Sequence, residues 1–124
     1  MGFRIELFVA DLGGSIRFYE DVLGFTVERR DPGYASLRLG DAVLGLGPIG
    51  KLPPDAPPPG FTQARLAGDR GAGVEIVIEV DDLDAALERA GDHVAEPLQL
   101  RPWGLRDFRL ADPDGYYLRV TTPP

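Results

Sequence analysis

The chain has 124 residues, 44% of them hydrophobic, and 20 acidic against 13 basic side chains give it a formal charge of −7. That is one domain's worth of chain with enough apolar content for a core, and no run approaches the roughly 18 apolar residues of a membrane-spanning helix. It has no cysteine, which excludes disulfides, thiolate nucleophiles, thiolate-zinc sites and iron–sulfur clusters.

The basic residues are scattered, with Arg29 and Arg30 the one adjacent pair, so the charge pattern predicts no nucleic-acid partner, since phosphate neutralisation needs clustered Lys and Arg. The opening "MGFRIELFVADL" carries charges and strand-like alternation where a signal peptide needs an apolar block, and the expectation is a cytoplasmic protein without a membrane partner. An acidic surface serves solubility, and at long range it would favour a cationic small ligand.

In chain order, Phe3, Ile5, Leu7 and Val9 alternate with Arg4, Glu6 and Phe8, the period of a strand with one apolar and one mixed face. Asp11 is placed to cap a helix on which Leu12, Ile16, Tyr19 and Leu23 share a face, and Gly24 is placed to stop it. Three strand-like stretches follow, "FTVERR", "YASLRLG" and "AVLGLG", separated by turns at "DPG" and "GD". The segment 47–73 then holds six of the twelve prolines and reads as a connection, the kind of long loop that serves as linker, lid or binding loop.

Beyond it the pattern returns. Val74, Ile76, Ile78 and Val80 alternate with Glu75, Val77 and Glu79; Asp81 or Asp82 caps a helix with Leu83, Ala86, Leu87 and Ala90 on one face; Gly91 ends it. The strand-like stretches are now "VAEPLQL", "LRDFRLA" and "YYLRVTT", with turns at "RPWG" and "DPDG". The expectation is a single domain over 1–124: a first βαβββ module over 3–48, a Pro/Gly-rich connection over 49–73 and a second module over 74–122. In such a module the helix covers one face of a four-stranded sheet and leaves the mixed face free, an α+β arrangement.

With "FVADLGGSIRFYEDVLGF" in the first half, and "VIEVDDLDAALERA" and "PWGLRDFRLADPDGYYLRV" in the second, the chain resembles the vicinal oxygen chelate superfamily. That superfamily comprises glyoxalase I, extradiol dioxygenases, fosfomycin-resistance enzymes and bleomycin-resistance proteins. The resemblance implies paired modules forming a curled mixed sheet around a concave cavity, completed in small members by homodimerisation. It also implies a divalent metal at equivalent positions near the start of each module's first strand and the end of its last.

At those positions this chain departs from the enzymes. Seven residues before Asp11 and Asp82, where the enzymes typically place histidine, stand Arg4 and Glu75; four residues after the glycine of "DPDG", where a glutamate ligand is usual, stands Arg119; and the equivalent first-module position falls close to Gly45. Arginine stays protonated and has no lone pair to give, so of the four only Glu75 can ligate, and one carboxylate does not make a catalytic metal site. His93, at the end of the second helix, reads as a surface residue. The sequence therefore predicts no metal and no cofactor.

If Arg4, Glu75 and Arg119 converge, they form either a closed ion cluster or a site where an arginine fork meets a polar group of a ligand. Trp103, Phe108, Tyr117 and Phe61 supply aromatic surface that either packs as core and rim or stacks on a planar ligand. Lacking the metal ligands, the chain resembles the bleomycin-resistance branch, which implies a metal-free homodimer that sequesters an aromatic or antibiotic-like small molecule through Arg4, Glu75, Trp103, Phe108, Tyr117, Arg119 and Phe61, with no catalytic residue. The alternatives are a metal-dependent lyase, isomerase or dioxygenase with a relocated carboxylate site at Glu6, Glu75 and Glu79, and a cofactor-free enzyme with Glu75 as base.

Overall fold

The computed structural model describes residues 2–124. The first module runs β1 (Arg4–Val9), α1 (Leu12–Asp21), β2 (Thr26–Asp31), β3 (Tyr34–Leu39) and β4 (Ala42–Pro48); the second runs β5 (Glu75–Glu79), α2 (Leu83–Ala90), β6 (Glu96–Leu100), β7 (Arg106–Ala111) and β8 (Tyr117–Thr121). Both helix starts follow the sequence signals: Asp11 accepts from Gly14 N and Asp82 accepts from Ala85 N, each satisfying a backbone donor that the first helical turn leaves without a partner.

Each module forms its own sheet, in the order β1-β4-β3-β2 and β5-β8-β7-β6. Within one chain there are thus two separate four-stranded sheets. In each, the first and last strands pair in parallel and the remaining pairs are antiparallel. The registers agree between modules, because Glu6 lies opposite Gly45 in the first and Val77 opposite Arg119 in the second. Gly45 and Arg119 therefore hold equivalent places, as the repeat implied.

The period-2 alternation sends Leu7 and Val9, Ile76 and Ile78, Phe108 and Leu110, and Leu118 and Val120 into one shared core with Ile16, Tyr19, Phe25 and Leu83. Burial of these apolar side chains is the main favourable contribution to the fold. The opposite face of each sheet carries the mixed residues.

The modules are locked together by the turn between β7 and β8. Asp112 is buried and accepts from the Tyr19 hydroxyl of α1 at 2.7 Å, and from the backbone of Asp114 and Tyr116 at 2.9 Å each. Asp114 accepts from Ala10 N at 2.8 Å and Ser15 Oγ at 3.3 Å, and Arg70 of the connection pairs with it at 2.5 Å. Tyr116 returns the grip by donating to the Phe8 carbonyl at 2.9 Å. Burial and the neighbouring Asp112 carboxylate push the Tyr19 phenol up, so it stays a donor throughout the neutral range.

Tyr19→Phe removes one hydrogen bond to a buried carboxylate while keeping the ring's packing. It is expected to lower unfolding stability by about 2 kcal/mol, read as a fall in the urea midpoint with an unchanged slope.

Candidate functional site

The mixed face of the second sheet holds a ladder of alternating charges. Arg109 and Arg119 stand directly opposite each other across β7 and β8, a placement of like charges that is unfavourable unless carboxylates intervene. Two do. Glu75 Oε1 lies 3.1 Å from Arg119 Nε, and its Oε2 lies 3.5 Å from Arg109 Nη1. On the other side, Asp107 Oδ1 lies 2.8 Å from Arg101 Nη2 and 3.4 Å from Arg109 Nε.

Asp107 is fully buried, at 0% exposure. Burial alone would raise its carboxyl, but hydrogen bonds and charge from Arg101 and Arg109 outweigh it and hold the group below the usual carboxylate range. The ladder extends outward through Tyr117, whose hydroxyl accepts from Arg109 Nη1 at 3.3 Å and donates to Glu96 Oε2 at 2.8 Å. Two aromatic rings flank it: the Arg119 guanidinium lies 6.0 Å from the centre of the Trp103 ring, and that of Arg109 lies 5.9 Å from the centre of Tyr117, within the range of cation–π attraction. Trp103 is 58% exposed, which leaves ring surface open to solvent.

The equivalent face of the first sheet is organised differently. At Gly45 a Cβ would stand 1.7 Å from Glu6 Oε2 and 2.3 Å from the Tyr34 hydroxyl, so the space above this glycine belongs to those two groups. Tyr34 donates to Glu6 at 2.8 Å, and Arg4 Nε lies 3.1 Å from the same carboxylate. Phe8 continues the face and packs on Phe61 of the connection, ring centres 4.6 Å apart.

Among the residues singled out in the sequence, Glu75, Arg119, Tyr117 and Trp103 meet on one face. Arg4 does not join them within the chain: it belongs to the other sheet and pairs with Glu6. Phe61 lies with Phe8 on the first module. Phe108 is corrected outright. It is 0% exposed and points into the core, because alternation along β7 gives the open face to Asp107 and Arg109. His93 is exposed and packs edge-on to Phe18.

Reasoning from sequence missed Arg101, Asp107, Arg109 and Glu96. The signal for two of them was present, since Asp107 and Arg109 alternate with Phe108 and Leu110 just as Tyr117 and Arg119 alternate with Leu118 and Val120.

The residues at the superfamily's metal positions do not fit a divalent ion. Two guanidiniums surround Glu75, Glu6 is bound by Arg4 and Tyr34, and no group of three or more His, Asp or Glu suited to a metal occurs among the described residues. A metal at Glu75 would face two cations at contact distance.

A protein-family model described as Glyoxalase/Bleomycin resistance protein/Dioxygenase superfamily matches residues 3–120. Solved structures with similar folds include a bleomycin-binding protein complexed with bleomycin, at 25% identity and TM-score 0.67, covering 100% of this chain and 99% of that one. The bleomycin-binding protein of Streptomyces verticillus with copper(II)-bleomycin is similar at 24% identity and TM-score 0.68, covering 100% and 97%. Lactoylglutathione lyase from Agrobacterium tumefaciens is similar at 20% identity and TM-score 0.72, covering 98% and 92%. No curated protein matches the chain by sequence.

The lowered carboxyl of Asp107 has a pH consequence. Its contribution to stability is fully present above the ordinary value of 3.8 and is lost as pH falls through the lower folded value. Removing the charge in Asp107→Asn should therefore cost stability at pH 7, and the gap between the two proteins should close below about pH 4, as read by urea unfolding across that range.

Proposed function

This chain belongs to the Glyoxalase/Bleomycin resistance protein/Dioxygenase superfamily, and within it we propose a metal-free small-molecule-binding protein of the bleomycin-resistance type, sequestering an aromatic or antibiotic-like ligand. The observation that carries this reading is the position of Arg119. It occupies the last-strand place where the superfamily's enzymes put a carboxylate ligand, and its guanidinium lies against Glu75, the one residue of the four positions able to ligate. A cation built into the site substitutes for the metal in charge, and it brings no open coordination position with which to activate a substrate.

What surrounds the ladder suits binding. Trp103 and Tyr117 are accessible aromatic side chains beside fixed hydrogen-bonding groups, the mixture typical of small-molecule clefts. The two similar proteins with bleomycin bound have the same fold over the whole chain, which supports a ligand of that kind, though fold alone does not set function.

The cleft belongs to a homodimer in this reading. β1 and β5 are both sheet edges, and the exposed side chains near them include Phe3, Val74 and Val77. Free edges and apolar surface of this kind call for a partner. The mixed face of one sheet, with Arg4, Glu6, Phe8 and Phe61, would then stand across from the ladder of a second copy.

Two measurements test the proposal. Trp103, the single tryptophan, should be quenched saturably by metal-free bleomycin or a planar aromatic antibiotic, with a Kd unchanged by a chelator; quenching that appears only with added divalent metal would overturn it. Sedimentation equilibrium should give twice the 13.4 kDa chain mass, and a monomer at micromolar concentration would remove the shared cleft.

A further inference from the structure

In a chain of formal charge −7, the open face of the first sheet is locally basic. Arg4 Nε lies 3.1 Å from Glu6, the Arg29 guanidinium lies 5.0 Å from the centre of the Tyr34 ring, and Lys51 shares a pocket with both Glu6 and Tyr34. Glu6 is the one carboxylate lining that pocket, and its oxygens are taken by Arg4 and by the Tyr34 hydroxyl at 3.0 and 2.8 Å. Asp31, where the chain enters the β2–β3 turn, accepts from Gly33 N at 2.9 Å. Neither Lys51 nor Arg29 forms an ion pair with a carboxylate among the described residues.

Missing side chains hold the Lys51 ammonium at this pocket and keep the floor open. Lys51 ends the short 3₁₀ turn Ile49–Lys51 that follows β4, and Gln63 fixes the exit of that turn by donating to the Leu52 carbonyl at 2.9 Å. From there the lysine stem reaches the β2–β3 turn, where a Cβ on Gly33 would collide with its ammonium. Gly33 does not adopt the left-handed backbone that favours glycine, so what it provides is room for the ammonium. Gly47 is likewise ordinary in backbone, and a Cβ there would meet Phe8 at 3.8 Å and nothing nearer.

We propose that this pocket, of about 280 Å³, is a second small-molecule site, and that it takes a carboxylate carried on a flat apolar group. Charge selects the anion. A cation would have to compete with Arg4 for Glu6 while facing Lys51 and Arg29, whereas a carboxylate meets an ammonium that has no ion-pair partner in the chain. Charge also limits the ligand, because Glu6 lines the same pocket and repels a phosphate dianion more strongly than a carboxylate. The rest of the wall is apolar, from Phe8, Pro48 and Leu52, which suits the face of an aromatic ring. The site lies within one chain, on the module without the ladder, so it needs neither the ladder nor a second copy.

Lys51 is the single lysine of the chain, so protein carrying ¹³C-labelled lysine reports on this pocket by NMR through one side-chain Cε signal. Three probes of one shape, 2-naphthoate, 2-naphthalenemethanol and 2-naphthylmethylamine, are titrated into the full chain. 2-Naphthoate should move the Lys51 signal saturably and bind about fivefold more tightly than the alcohol, the effect of one partly exposed ion pair. The amine should bind no more tightly than the alcohol.

Two variants separate charge from space, with binding read at the Gly33 backbone amide. Lys51→Met, at an exposed position, should bring 2-naphthoate down to the affinity of the alcohol. Gly47→Val should abolish binding of both by filling the floor, and β4 accepts it because the backbone there is ordinary and β-branched residues suit strands. An amine that moves the Lys51 signal at as low a concentration as 2-naphthoate, a 2-naphthoate affinity unchanged by Lys51→Met or by Gly47→Val, or a Lys51 signal unmoved at millimolar 2-naphthoate would overturn the inference. Trp103 lies between β6 and β7 of the other sheet, so its quenching by bleomycin is decided separately from every one of these outcomes.

Discussion

Two carboxylates in a single turn hold this molecule in the form its site requires. Asp112 and Asp114, from "DPDG", reach α1, the end of β1 and the connection, and so fix β8 against the first module. The strand that leaves this turn carries Tyr117 and Arg119. Their place beside Glu75 follows from the register that the turn sets. Asp112 meets burial that raises its carboxyl against the hydrogen bonds that would lower it, so this anchor works through directed hydrogen bonds more than through favourable ionisation.

From that anchor the second sheet's open face becomes a problem of like charges. Arg109 and Arg119 face each other, and the fold tolerates the pair because Glu75 on one side and Asp107 on the other neutralise it. A buried ion cluster adds little net stability compared with a well-packed apolar core, but it is costly to break from one side. Its effect is to fix side-chain positions: the guanidiniums lie near the rings of Trp103 and Tyr117, and Tyr117 is tied to Glu96. The first sheet reaches a different arrangement from the same architecture, with Glu6 and Tyr34 occupying the space that Gly45 leaves. The modules are alike in register and unlike in chemistry.

Much of this was legible in the sequence. Period-2 alternation and helix caps placed all eight strands and both helices, the resemblance put the counterpart of Arg119 close to Gly45, and the strand register fixes it there. Two contacts expected from the sequence are not made within the chain. Phe108 looked like a contact because aromatic residues suit clefts, yet alternation along its strand assigns it to the core and gives the face to Asp107 and Arg109. Arg4 was expected beside Glu75 because their positions are equivalent between modules. Equivalence under a repeat places two residues on corresponding sheets, and whether those sheets face each other depends on how modules and chains pack. The grip of Asp112 on Tyr19, 93 residues away in sequence, had no local signature beyond the turn itself.

The central claim is that arginine takes the metal's place at this site. Its most direct test is metal analysis of protein purified without chelator, followed by thermal unfolding with Mn²⁺, Ni²⁺, Zn²⁺ and Fe²⁺ at tenfold excess. The account predicts no stoichiometric metal and no rise in Tm with any of the four, because a cation entering beside Glu75 must displace Arg109 and Arg119. One equivalent of bound metal, or a Tm raised by one ion and restored to its starting value by chelation, would contradict it.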